Sequence, residues 1–132
     1  MNVLITGSST GIGKVIAEKF LSEGYFVYGL DRQKASIKHD NYKHYNCDLI
    51  NLETYPSFLP EMHYVINNAG TDDQKEALKT NLLSLFEIED RWINENTKCV
   101  INIASTSAHF GIENREYVAS KGRSIILYKT IS

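Results

Sequence analysis

The apolar run Val3-Leu4-Ile5 leads directly into Thr6-Gly7-Ser8-Ser9-Thr10-Gly11-Ile12-Gly13, and an amphipathic stretch from Lys14 to Ser22 follows at once. A buried strand, a glycine-rich turn and the start of a helix are therefore packed together. Gly7 can take the tight turn out of the strand, because it lacks the Cβ that forbids unusual φ/ψ. Gly11 leaves the backbone bare at the helix start, where unpaired N–H groups can meet a pyrophosphate. Gly13 lets the helix lie close on the sheet. The loop reads as a dinucleotide site, with a plain strand-to-helix turn as the alternative. A Walker loop is excluded: with Lys14 as its lysine it would need Gly at Ser8 and Ser or Thr at Val15.

Beyond this turn the apolar pattern keeps alternating. A helix is expected from about Ile12 to Ser22, with Ile12, Val15, Ile16, Phe20 and Leu21 sharing one apolar face and Gly24 as its stop. Tyr25 to Leu30 reads as a second strand and Tyr42 to Cys47 as a third. The next helix is stunted, because Pro56 stops Leu52 to Tyr55, and one face of the sheet should be thinly covered there. Tyr64-Val65-Ile66 forms a fourth strand, followed by the turn Asn67-Asn68-Ala69-Gly70. A long helix from Asp72 to about Asn94 carries Leu78, Leu82, Leu85, Phe86, Ile88 and Ile93 on an apolar face, with Trp92 near its end. Cys99 to Ala104 is a fifth strand, and a last helix is expected over Glu116 to Ile131. Strands alternating with helices predict an α/β fold, a doubly wound parallel sheet with right-handed crossovers. In the order 3-2-1-4-5 the topological switch lies between strands one and four, so the Gly7–Gly13 and Asn67–Gly70 turns flank one crevice.

A chain of 132 residues suits one domain, 1–132. The formal charge of −2 gives no electrostatic case for nucleic acid or an anionic membrane. No apolar run approaches the roughly 20 residues that span a bilayer. The N-terminus enters a strand with no basic region before it, which favours the cytoplasm. Cys47 and Cys99 lack CxxC spacing and fit small core residues in a reducing compartment. His39, His44, His63 and His109 are scattered, and no metal site is expected.

Two further features carry chemistry. Asp31 ends the second strand, eighteen residues past Gly13. An acidic side chain about 20 residues beyond such a loop can bind the ribose hydroxyls of NAD and repel a 2′-phosphate. Arg32 complicates this, because a guanidinium could attract that phosphate. In Tyr117-Val118-Ala119-Ser120-Lys121, Tyr117 and Lys121 project from one helix face, with Ser105 just past the fifth strand. Alone, that Tyr and Lys would be an ordinary surface pair.

Taken together, these pieces resemble a short-chain dehydrogenase/reductase of the classical type. The match consists of the Thr6–Gly13 loop, Asp48-Leu49, Asn67-Asn68-Ala69-Gly70, Asn81, Ser105, and Tyr117 with Lys121, in family order. The resemblance implies a Rossmann-type sheet and hydride transfer between NAD(H), preferred over NADP(H), and a carbonyl or secondary alcohol. It implies Tyr117 as general acid/base, with Lys121 favouring the phenolate, since a free phenol titrates near pH 10 (about). Ser105 would hold the substrate oxygen and Asn81 a relay water. Gly7, Ser9, Thr10, Gly11, Ile12 and Gly13 would cradle the pyrophosphate. Asp31 would take the adenosine ribose, Asp48 and Leu49 would flank adenine, and Asn67, Ala69 and Gly70 would line the crevice. Lys121 would also bind the nicotinamide ribose. His109, Phe110 and Ile112 would line a partly apolar substrate pocket, and the helices around Leu82–Trp92 and Tyr117–Tyr128 would build a homodimer or homotetramer.

The chain departs from the family pattern between Gly70 and Asn81, which stand only eleven apart. The family also continues with a further strand, a Pro-Gly turn, a substrate-covering segment and a last strand. The sequence is therefore expected to be part of a longer chain, lacking the family's last strands. A non-catalytic dinucleotide-binding regulator and an inactive fragment are the alternatives on the same scaffold.

Overall fold

The computed structural model describes residues 1–70 and 79–103, with the backbone alone at 79 and 81. Strands β1 (Asn2–Thr6), β2 (Phe26–Asp31), β3 (Tyr42–Asn46), β4 (Tyr64–Asn67) and β5 (Cys99–Asn102) form one sheet in the order β3-β2-β1-β4-β5. Every neighbouring pair is parallel. This is the doubly wound order expected, and the strand limits differ from expectation by one or two residues. The chain reverses direction across the sheet at β1, which has β2 on one side and β4 on the other. The carboxyl ends Thr6, Asp31 and Asn67 thus share one edge.

Parallel strands covered on both faces need apolar side chains pointing both ways. Leu4, Leu30, Val65 and Val100 enter one cluster with Ile88 and Trp92 of helix α2 (Ser84–Trp92). Val3, Ile5, Val27 and Ile66 enter the other with Ala17 and Leu21 of helix α1 (Gly11–Ser22). Fully burying each such aliphatic side chain contributes about 1.5–3 kcal/mol, so the two layers anchor the switch from above and below.

The phase of α1 corrects one expectation. Ile12 and Val15 are 62% and 67% exposed, while Gly13, Ala17 and Leu21 are buried. A Cβ at Gly13 would lie 2.0 Å from the Gly7 carbonyl oxygen, so the helix is pressed on the loop at that glycine. That contact, rather than the apolar pattern, sets which way the first turn faces.

The thin cover expected near Pro56 is a second correction. A 3-10 turn at Leu52–Thr54 replaces a helix, but the irregular segment after it buries Tyr55, Leu59 and Met62 at 6%, 7% and 0% exposure. Tyr55 stacks on Trp92 with ring centroids 5.9 Å apart, and the Arg91 guanidinium lies 4.8 Å from its ring centre. Burial pushes the Tyr55 phenol well above its ordinary value. Its hydroxyl donates to the Leu49 carbonyl oxygen at 2.8 Å, which fixes the stretch after β3.

The long helix expected from Asp72 to Asn94 is described from residue 79. A π turn at Lys79–Leu83 precedes α2, whose Leu85, Ile88 and Trp92 are buried as expected. Phe86, placed on the apolar face by the sequence pattern, is 41% exposed. The expected helix over Glu116 to Ile131 lies outside the described residues. Among those described, no helix is long and apolar enough to cross a membrane.

Candidate functional site

The site is built where β1 ends. Thr6, 1% exposed, turns its hydroxyl oxygen toward the β4 turn, where it accepts from the amides of Asn68 and Ala69 at 3.1 and 3.0 Å. Gly7 then takes φ +70, a left-handed conformation that costs an L-residue roughly 1–2 kcal/mol. Its N–H donates to the Leu30 carbonyl oxygen at 2.8 Å, and its own carbonyl accepts from the Asn68 side-chain amide at 3.1 Å. The glycine loop is thereby tied to β2 on one side and to the β4 turn on the other.

Gly11 takes φ +56 with open space where a Cβ would stand. Thr10 is the N-cap of α1 but makes no side-chain capping bond, and the first turn holds no acidic residue. Helix N-termini carry unpaired N–H groups and a partial positive charge.

Asp31 closes the other wall. Its Oδ2 accepts from the Ser9 amide at 3.0 Å and its Oδ1 from the Gln33 amide at 2.9 Å. Two backbone donors fix the carboxylate at the end of β2, with acceptor capacity remaining on both oxygens. Asp48 follows Cys47 at the end of β3, and its Oδ1 accepts from the Ile50 amide at 3.2 Å. Burial pushes the Cys47 thiol up.

A cleft of about 210 Å³ opens between these walls. Of the residues expected at a dinucleotide site, Gly7, Thr10, Asp31, Asp48, Leu49, Ala69 and Gly70 line it. Ser9, Gly11, Ile12, Gly13 and Asn67 do not. Gly11 and Ile12 lie exposed at the helix start, while Gly13 is buried beneath it. Asn67 is 5% exposed, and its amide donates to Asn102 Oδ1 at 2.8 Å. Among the described residues the buried Ser9 Oγ and Asn67 Oδ1 have no hydrogen-bond partner. Asn81 sits in the π turn beside Thr80, which lines the cleft. Ser105, Tyr117 and Lys121 lie outside the described residues, as do His109, Phe110 and Ile112.

Leu30, Gln33, Cys47, Asn68 and Thr80 also line the cleft and were not among the expected site residues, and Arg32, weighed in the sequence for a 2′-phosphate, lines it too. Leu30, Cys47, Asn68 and Thr80 each adjoin an expected residue in sequence, and Gln33 lies two past Asp31. Adjacency to a motif was the available signal.

The whole chain, residues 1–132, matches the family model described as short chain dehydrogenase. The chain belongs to the short-chain dehydrogenase family. A benzil reductase ((S)-benzoin forming) of Bacillus subtilis is 37% identical over 78 residues, covering 51% of this chain and 32% of the relative. An NADPH-dependent 3-dehydrocapnine reductase of Ornithobacterium rhinotracheale is 36% identical over 73 residues, covering 51% of this chain and 26% of the relative. A solved 4-hydroxyisoleucine dehydrogenase complexed with NADH superposes with a TM-score of 0.79 at 29% identity, over 98% of this chain and 65% of that one. The chain spans 26% to 64% of the lengths of the curated relatives it matches. The family assignment accords with the sheet order, the glycine turn and the acidic end of β2.

Proposed function

We infer that the chain is the dinucleotide-binding part of an oxidoreductase acting on a carbonyl or secondary alcohol, as a single unit over 1–132. The observation that carries the reading is Asp31, a carboxylate held by the Ser9 and Gln33 amides in a cleft that Gly7 and Thr10 of the glycine loop also line. The residues fit a dinucleotide. A side chain at Gly13 would fill the space that brings helix and loop together, and the Ser9 hydroxyl is buried without a partner among the described residues.

When bound, the nicotinamide supplies or takes the hydride. The chain's own residues hold the ligand and move the proton. The α1 amides and Gly7 would hold the pyrophosphate, Asp31 the adenosine ribose, and Asp48 and Leu49 the adenine. Ala69 and Gly70 would shape the central wall. Tyr117 would exchange a proton with the substrate oxygen, Lys121 would favour its phenolate, Ser105 would orient the substrate, and Asn81 would hold a relay water.

NAD is the preferred form in this reading, because a fixed carboxylate accepts from ribose hydroxyls and repels a 2′-phosphate. The relatives point both ways, one named as NADPH-dependent and one solved with NADH. Arg32 also lines the cleft and would favour the phosphate. The reading favours NAD because two backbone amides hold the Asp31 carboxylate at the end of β2. Family likeness also supports a homo-oligomer. The test is NADH oxidation against a panel of carbonyl compounds. Wild type should turn over, and Tyr117→Phe should bind NADH without turnover; activity retained in that variant removes the proton role.

A further inference from the structure

Tyr42 opens β3, two strands away from β1, yet its hydroxyl lies 2.8 Å from Ser8 Oγ in the glycine loop. The bond passes over β2 at Gly29, which is paired with Ile5 on one side and His44 on the other. A Cβ at Gly29 would stand 2.2 Å from both the Ser8 and the Tyr42 oxygens. Gly29 has no positive φ, so the absence of a side chain there serves this crossing and not a turn. Ser8 is fully buried, and Tyr42 does not line the cleft.

The next residue is held on the same flank. The Ser9 amide donates to Asp31, and the Ser9 carbonyl oxygen accepts from the Ser36 hydroxyl. On the opposite flank Asn68 holds the Gly7 carbonyl oxygen. The loop is thus clamped from β4 on one side and from β2 and β3 on the other. A loop ordered before its ligand arrives loses less freedom on binding.

We propose that Tyr42 is a positioning residue for dinucleotide binding, its hydroxyl holding Ser8 across the gap at Gly29 and so presetting the glycine loop. This rests on the reading of the cleft as a dinucleotide site. The residue does not line the cleft and acts through Ser8, while its hydroxyl also lies 3.4 Å from His44 Nδ1 on its own strand. Loss of one such neutral hydrogen bond corresponds to about a fivefold change in an equilibrium.

The test is a cycle of Tyr42→Phe, Ser8→Ala and the double variant in the full chain. NADH affinity is read by fluorescence titration, and amide hydrogen exchange is followed at Ser8–Thr10 and at Val3–Ile5. Each single variant should weaken NADH about fivefold, and the double variant should be no weaker than either. Exchange should quicken in the loop and stay unchanged in β1. Additive losses, unchanged NADH affinity, or exchange that quickens equally in β1 would each overturn the proposal. Wild type that binds no NADH would instead overturn the dinucleotide reading, and the proposal with it.

Discussion

The Asn68 side-chain amide donates to the Gly7 carbonyl oxygen at 3.1 Å, tying the turn after β4 to the turn after β1. Both groups lie within reach of the Cβ that Gly13 lacks: such an atom would stand 2.0 Å from the Gly7 oxygen and 2.4 Å from Asn68 Nδ2. The third glycine of the loop is therefore a packing requirement of the whole switch point.

Gly13→Ala should accordingly push α1 off the loop. Overpacking of this kind costs about 1–3 kcal/mol, and urea unfolding should show a loss at or above the top of that range, because the atom met is backbone. Gly11→Ala meets nothing, and only its φ of +56 is strained. Its cost should be about 1 kcal/mol.

Thr6→Val should destabilise by about 2 kcal/mol, since it leaves the Asn68 and Ala69 amides without their shared acceptor. Thr6→Ser keeps the oxygen and should recover most of that loss. Equal unfolding free energies for the Val and Ser variants would exclude the hydroxyl as the tie.

The glycine loop, the sheet order and Asp31 were legible in the sequence because each rests on local chemistry: a bare turn, an alternation of elements, a charge at a strand end. The outward turn of Ile12 and Val15 was not. Helical periodicity marks apolar residues, whereas the phase of α1 is set at Gly13, which has no side chain to signal it. Tyr55, Leu59 and Met62 fill the core from an irregular segment after Asn51, where no period exists to be read. The Tyr42–Ser8 contact depends on strand register across β2, which a linear pattern does not encode. Gln33 and Thr80 reach the cleft from two residues past Asp31 and from beside Asn81.

Alkaline pH should weaken the fold through Tyr55. Its phenol titrates near 10.0 when unfolded and is raised by burial in the fold. The folded state therefore holds this proton more tightly, and the associated stability is complete below pH 10 (about) and lost as pH rises further. Tyr55→Phe gives up the bond to the Leu49 carbonyl oxygen and should cost about 1 kcal/mol at neutral pH. The gap between wild type and variant should narrow by pH 11 (about). A gap that stays constant in denaturant titrations at both pH values would rule out this residue as the source.

The central claim, that the cleft beside Asp31 receives a dinucleotide through its adenosine ribose, is tested most directly by titrating NADH and NADPH into wild type and Asp31→Ala. Wild type should bind NADH more tightly than NADPH. The variant should lose about tenfold in NADH affinity, as expected for hydrogen bonds to a charged group, while NADPH affinity holds or improves. Equal losses for the two nucleotides, or no loss for NADH, would contradict the account.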